Sequence, residues 1–156
     1  MKHIEAQMDL MKAAENKERL FLTRYNGYAI IGNAYELYLM PETKCFLDFE
    51  RLRSTTEVID FSKETIKSML IDSATTPLMP TGVEYKEGNK TLIEFLRSDD
   101  EYICINKKML KRFDLKAATF KQTIDSRRET NGGILVLEHR ECVGYVMPCR
   151  RLEESK

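Results

Sequence analysis

The sequence predicts an α+β fold made of duplicated strand-helix-antiparallel-strand units, with an N-terminal helix. Three observations carry this. Residues 57–69 and 101–113 repeat one pattern at an offset of 44 residues (Glu57 onto Glu101). Ile59 aligns with Ile103, Phe61 with Ile105, Ser62 with Asn106, Lys63 with Lys107, Ile66 with Leu110, Lys67 with Lys111 and Met69 with Phe113. Each copy reads as a short buried strand, a cap-forming residue and an amphipathic helix. Turn signals at Asn26-Gly27, Glu87-Gly88-Asn89-Lys90 and His139-Arg140-Glu141 separate apolar strand-like runs, as hairpins require. Ile4, Met8 and Met11 recur at helical spacing ahead of these runs.

In chain order, residues 3–19 form a helix whose Ile4, Met8 and Met11 stripe, widened by Leu10 and Ala14, is expected to pack on the domain. Strands follow at 21–25 and 28–31, with a bend at Gly32-Asn33. The next strand runs over 35–40 to Pro41, which cannot donate to a ladder. Residues 44–49 read as a further edge strand and 51–56 as a polar connector. The first repeat has its strand at 58–61, Ser62 as cap, and Ile66, Met69 and Leu70 on one helical face. Pro77 and Pro80 end that element and forbid a helix between them. Strands at 82–86 and 91–96 form a hairpin, and Ser98-Asp99-Asp100 turns the chain into the second repeat. There Asn106 caps a helix that carries Met109, Leu110 and Phe113 inward. A strand at 118–124, a long polar loop at 125–133 containing Arg127 and Arg128, and a hairpin of 134–138 with 142–147 complete the body. The two repeats are expected to lie side by side with their helices on a shared face. The chain thus divides into an N-terminal helical arm (1–19), an α+β domain (20–152) and a charged tail (153–156).

At 156 residues the chain can bury a core without disulfide or metal. Lys+Arg and Asp+Glu are both 25, so no whole-molecule field draws in nucleic acid and any such binding must come from a local patch. No apolar run reaches the roughly 18 residues of a membrane span, and the charged start Met1-Lys2-His3-Ile4-Glu5 does not read as a signal peptide. Cys45, Cys104, Cys142 and Cys149 show no CxxC spacing and read as reduced thiols of a cytoplasmic protein.

The chemistry-bearing residues are sparse. His3 and His139 lie far apart, His139 in a turn; Asp99-Asp100 and Glu153-Glu154 read as solubilising charge. No HExxH, GxSxG, GxxxxGK[ST] or GxGxxG motif occurs. These observations predict no catalytic residue, no metal site and no cofactor, and point away from an enzyme. The second helix is more informative: Lys107, Lys108, Lys111 and Arg112 fall opposite Met109, Leu110 and Phe113, a local phosphate-binding surface or a solvated face. The first helix is nearly neutral, because Glu64 and Asp72 accompany Lys63 and Lys67.

The run from Ile134-Leu135-Val136-Leu137-Glu138 through Tyr145-Val146-Met147-Pro148-Cys149-Arg150-Arg151-Leu152 resembles the C-terminal strand pair of the bacterial DNA sliding clamp, the DNA polymerase III β subunit. That family closes on a Tyr-Val-Val-Met-Pro-Met-Arg-Leu type of pattern. The stretch Tyr28-Ala29-Ile30-Ile31-Gly32-Asn33-Ala34-Tyr35-Glu36-Leu37 is also similar to a clamp strand pair. The resemblance implies a clamp-like domain acting in DNA replication or its control; the small size of the chain would fit a phage or mobile element. Sequence-independent duplex DNA contacts would come from Lys63, Lys67, Lys107, Lys108, Lys111 and Arg112. Met147, Pro148 and Arg150 would lie near a pocket for partner peptides such as those of replication proteins, and a ring would require homo-oligomers. The neutral net charge and the near-neutral first helix support the alternative of a protein-binding or regulatory module that uses the fold without DNA.

Overall fold

The computed structural model describes residues 1–59, 61–70, 74–125 and 130–149. The described elements are α1 (His3–Glu15), β1 (Leu20–Tyr25), β2 (Tyr28–Gly32), β3 (Glu36–Pro41), a 3-10 turn (Glu42–Lys44), α2 (Phe49–Thr55), β4 (Val58–Ile59) and α3 (Lys63–Leu70). They continue with β5 (Ala74–Glu87), β6 (Lys90–Arg97), β7 (Tyr102–Asn106), α4 (Lys107–Leu110), β8 (Ala118–Asp125), β9 (Thr130–Glu138) and β10 (Glu141–Val146). All strands join one mixed sheet in the order β4-β1-β2-β3-β10-β9-β8-β5-β6-β7. The architecture is α+β.

The hairpins follow their turn chemistry. Asn26 and Gly27 both hold positive φ (48° and 79°) and set Tyr25 opposite Tyr28, as a type I′ turn requires. At Gly32 the chain bends so closely that a Cβ would lie 2.0 Å from the Glu36 carbonyl oxygen. Asn33 fixes the bend, its side-chain oxygen accepting from the N–H groups of Tyr35 (2.8 Å) and Glu36 (3.1 Å). His139 and Arg140 form the last turn, with φ of 51° and 69° and no glycine to relieve them.

Seven strands apart in sequence order, β3 and β10 pair antiparallel, Tyr38 opposite Gly144, and join the N-terminal meander to the C-terminal one. Beyond this seam the sheet curls. Cys149 pairs with Cys104 of β7, and its N–H donates to the Cys104 carbonyl at 2.8 Å. In a flat sheet β7 would lie about 24 Å from β10, at about 4.8 Å per strand. The three residues after Val146 span about 11 Å at most. The strands β10-β9-β8-β5-β6-β7 therefore roll toward closure. The main core lies within, lined by Leu20, Leu22, Ile31, Tyr38, Met40, Leu78, Phe95, Ile105, Phe120, Ile134, Val136 and Val146.

Both α1 and α4 pack on this inner face. Leu10 and Ala14 of α1 turn inward as expected, but Ile4, Met8 and Met11 do not. The helix's inner side is Ala6, Gln7, Leu10, Ala13 and Ala14, while Ile4, Met8 and Met11 are 63%, 49% and 45% exposed. Small side chains let the helix approach the sheet closely. Gln7 is satisfied there, donating to the carbonyls of His3 and Lys44 (3.0 Å each) and accepting from the Phe46 N–H at 2.7 Å. The helix thus forms a wall of the core.

Other expectations are corrected. Residues 44–49 form no strand and 51–56 are no plain connector. Asp48 caps α2 by accepting from the Arg51 N–H at 3.2 Å, and Phe49 anchors it, with the Arg24 guanidinium 4.2 Å from the ring centroid. Strand β5 begins at Ala74 and carries Pro77 and Pro80 inside it, its register with β6 breaking between Pro80 and Glu84; proline is tolerated in strands at such irregularities. The loop expected at 125–133 is shorter, because β9 begins at Thr130; Arg127 and Arg128 lie outside the described residues. The second repeat helix is a single turn, Lys107–Leu110, with Asn106 as its cap (Lys108 N–H to Oδ1, 3.1 Å).

The shared helix face is also overturned. Ile66 of α3 packs on Ile30, Leu37 and Leu39, with Phe61 stacked on Phe21 at 4.5 Å. Along β2 and β3 these positions alternate with Ile31, Tyr38 and Met40 of the inner core. Alternate residues of a strand face opposite sides, so α3 lies on the outer face and α4 on the inner one. Ser62 caps α3 as expected (Thr65 N–H to Oγ, 3.1 Å); the side chains of Met69 and Leu70, and Asp72, fall outside the described residues.

Phe113 closes the inner face over the central seam. Its ring lies 5.5 Å from that of Tyr38, and a Cβ on Gly144 would stand 2.2 Å from its Cζ. Gly144→Ala should destabilise the fold by about 1–3 kcal/mol through overpacking, measured by urea denaturation, and Phe113→Leu should recover part of that loss. Replacing His139-Arg140 with Asn-Gly should stabilise by about 1 kcal/mol, read in the same assay, because both positions are left-handed.

Candidate functional site

The inner-face helices meet at a polar junction. The Arg112 guanidinium, just past α4, donates to both carboxylate oxygens of Asp9 on α1 (2.6 and 2.8 Å). The Arg112 carbonyl accepts from the Lys2 N–H at 2.8 Å. Beneath this pair lie Glu36 and Tyr38, which share the inner face of β3 by two-residue alternation. Tyr38 is only 2% exposed and donates its hydroxyl to Glu36. Burial pushes the Glu36 carboxyl above its ordinary value of 4.5 and Asp9 adds to the effect, while the Tyr38 hydrogen bond, Lys111 and Lys108 oppose it. Burial and the neighbouring Glu36 carboxylate push the Tyr38 phenol upward too. The second carboxylate oxygen of Glu36 is buried with no hydrogen-bond partner. The junction is an electrostatic lock between elements far apart in sequence.

Two further clefts are formed by described residues. The larger, about 540 Å³, runs between α1 and α2 and is lined by Met11, Ala14, Phe46, Leu47 and Leu52, with Glu15, Lys17, Asp48 and Arg51 at its rim. Phe46 is 54% exposed beside it. The smaller, about 280 Å³, lies on the outer face against Ile66, between Tyr25, Tyr28, Ile30, Leu39 and Cys142. Burial raises the Cys142 thiol to about 11, which leaves it protonated at neutral pH. Neither cleft includes Glu36. Among the described residues no group of three or more His, Cys, Asp or Glu could hold a metal ion, and no helix is long and apolar enough to cross a membrane.

The six cations expected to contact DNA do not form one surface. Lys63 and Lys67 are exposed on α3, on the outer face. Lys107 is paired with Glu84 at 3.0 Å and Arg112 with Asp9. Lys108 and Lys111 are exposed on the inner-face side, with no carboxylate within ion-pair distance among the described residues. Of the residues expected at a peptide pocket, Met147 is exposed and its N–H donates to the Tyr35 carbonyl (2.8 Å), Pro148 is half-buried, and Arg150 lies outside the described residues.

Glu36, Asp9 and the α1–α2 cleft were missed from sequence. Period-two alternation from Tyr38 and Met40 back to Glu36 places that carboxyl inward, so its signal was present. The chain matches no family model, and it matches neither a curated protein nor a solved structure.

Glu36 gives a pH prediction. Its folded-state value is raised, so the contribution it makes is full below pH 4.5 and is lost as pH rises through the folded value. Glu36→Gln should therefore unfold at higher denaturant than the parent at pH 7, with the difference vanishing near pH 4.

Proposed function

We propose that this protein is a non-enzymatic protein-binding module that receives an apolar-striped helix of a partner on the outer side of α1 and in the α1–α2 cleft. The observation that carries this reading is the inverted orientation of α1. An alanine face turned inward leaves Ile4, Met8 and Met11 as an exposed row, and Met11 continues into the cleft beside the exposed Phe46. Methionine-rich apolar grooves accept helices because the flexible thioether adapts to the incoming ridge. Glu15 and Lys17 line the cleft from the α1 side and Asp48 and Arg51 from the α2 side. A rim carrying both signs suits a helix with mixed charge and offers nothing to a polyanion.

A second reading, sequence-independent duplex DNA contact by a clamp-like domain in replication or its control, is favoured by two observations. Lys108 and Lys111 are exposed, with no ion-pair partner among the described residues. In addition, α1-β1-β2-β3 and α4-β8-β9-β10 each run as a helix followed by three antiparallel strands, with β3 and β10 adjacent. That arrangement supports a clamp-like duplication with a different pairing from the 44-residue repeat.

Photo-crosslinking from position 11, followed by titration of the purified crosslinked protein, separates the two. A docking groove predicts that Met11→Glu weakens that complex at least tenfold while Lys108→Ala/Lys111→Ala leaves it unchanged, with unfolding midpoints unaltered in both. Equal binding by Met11→Glu would overturn the groove. Anisotropy titration with duplex DNA at low salt, lost only in Lys108→Ala/Lys111→Ala, would install the DNA reading in its place.

A further inference from the structure

The bridge that closes the curl of the sheet is made by two cysteines. Cys104 stands on β7 with its N–H and carbonyl turned to the sheet's open edge, and Cys149 pairs antiparallel with it. Residues directly opposite in a hydrogen-bonded antiparallel pair have Cα atoms about 5.5 Å apart and side chains on the same face. Disulfides have their commonest Cα separation at about 5.5–6 Å. Both cysteines are thiols in the structure. Neither of the other two has such a partner: Cys142 stands opposite Leu137, and Cys45 follows the 3-10 turn with its N–H on the Glu42 carbonyl.

We propose that Cys104 and Cys149 are a reversible redox pair, joined into an intramolecular disulfide by exchange with a low-molecular-weight disulfide. Cys149 is half-buried and reachable, whereas Cys104 is 5% exposed. Cys149 is the more accessible of the two, so it is the attacking sulfur and Cys104 the resolving one. The Cys149 thiolate attacks the small disulfide and expels one small thiolate, leaving a mixed disulfide. The Cys104 thiolate then attacks the Cys149 sulfur and expels the second. The two cysteines lose two electrons and two protons, and the small disulfide gains both as two thiols. The product fastens the segment carrying Met147 and Pro148 to β7 and turns a hydrogen-bonded closure into a covalent one.

The test is incubation of the full chain, carrying Cys45→Ser and Cys142→Ser, in glutathione buffers of stepped redox ratio. Thiol alkylation, intact mass and peptide mapping follow. The expected result is a two-electron transition losing two hydrogens, with one crosslinked peptide pair joining Cys104 to Cys149, a higher melting temperature in the oxidised form, and full reversal by dithiothreitol. Cys149→Ser should retain one alkylatable thiol throughout and show no such rise. The wild-type chain, mapped in parallel, keeps the result independent of the serine background. Two alkylatable thiols persisting at the oxidising end, or only a glutathione adduct on Cys149, would overturn the proposal. So would a crosslink in the wild type that joins a different pair.

Discussion

The seam between β3 and β10 is the constraint on which the rest of the molecule depends. Everything before residue 42 reaches everything after residue 100 mainly through that antiparallel pair and what lies over it. Phe113 sits there because position 144 has no side chain, and Tyr38 flanks it. Because Phe113 is fixed, the end of α4 is fixed, and Arg112 is placed to grip Asp9 with two charge-assisted hydrogen bonds. One missing methyl group on β10 thus decides where α1 can dock, and with it which of its residues meet solvent.

The stability that this region gains from packing it partly gives back. Glu36 is buried at the foot of the junction with one oxygen unpartnered, and its elevated protonation equilibrium is the electrostatic trace of that desolvation. Cations that looked available for a nucleic acid are instead used internally: Arg112 holds α1 and Lys107 holds β5 through Glu84. The surface left over is apolar on α1 and mixed in charge around the adjoining cleft.

Local chemistry was legible in the sequence, and relations between distant segments were not. Asn26-Gly27, Ser62 and Asn106 announce turns and caps because the required φ angles and hydrogen bonds lie within four residues. The Asp48 cap carries the same kind of signal but sits in a stretch dense with charge, and α2 was lost there. On α1, Leu10 and Ala14 are inward as the sequence suggests, but the centre of the buried face is set by Ala6 and Ala13, which bury by being small, and not by the bulkier Ile4, Met8 and Met11. That α3 and α4 occupy opposite sides follows from strand order across the sheet, which no window of sequence contains.

β3 ends at Pro41 and β10 does not begin until Glu141. A nascent chain that has completed the first meander therefore displays Leu37-Tyr38-Leu39-Met40 on a strand edge with its backbone donors and acceptors open, long before the complementary strand exists. Such an edge recruits other strands indiscriminately, and pairings of large sequence separation form slowly. Pro41 at the end of β3 and the 3-10 turn after it keep that strand short. They act as a built-in guard on an interrupted assembly, limiting what the half-made sheet can template while it waits on the ribosome.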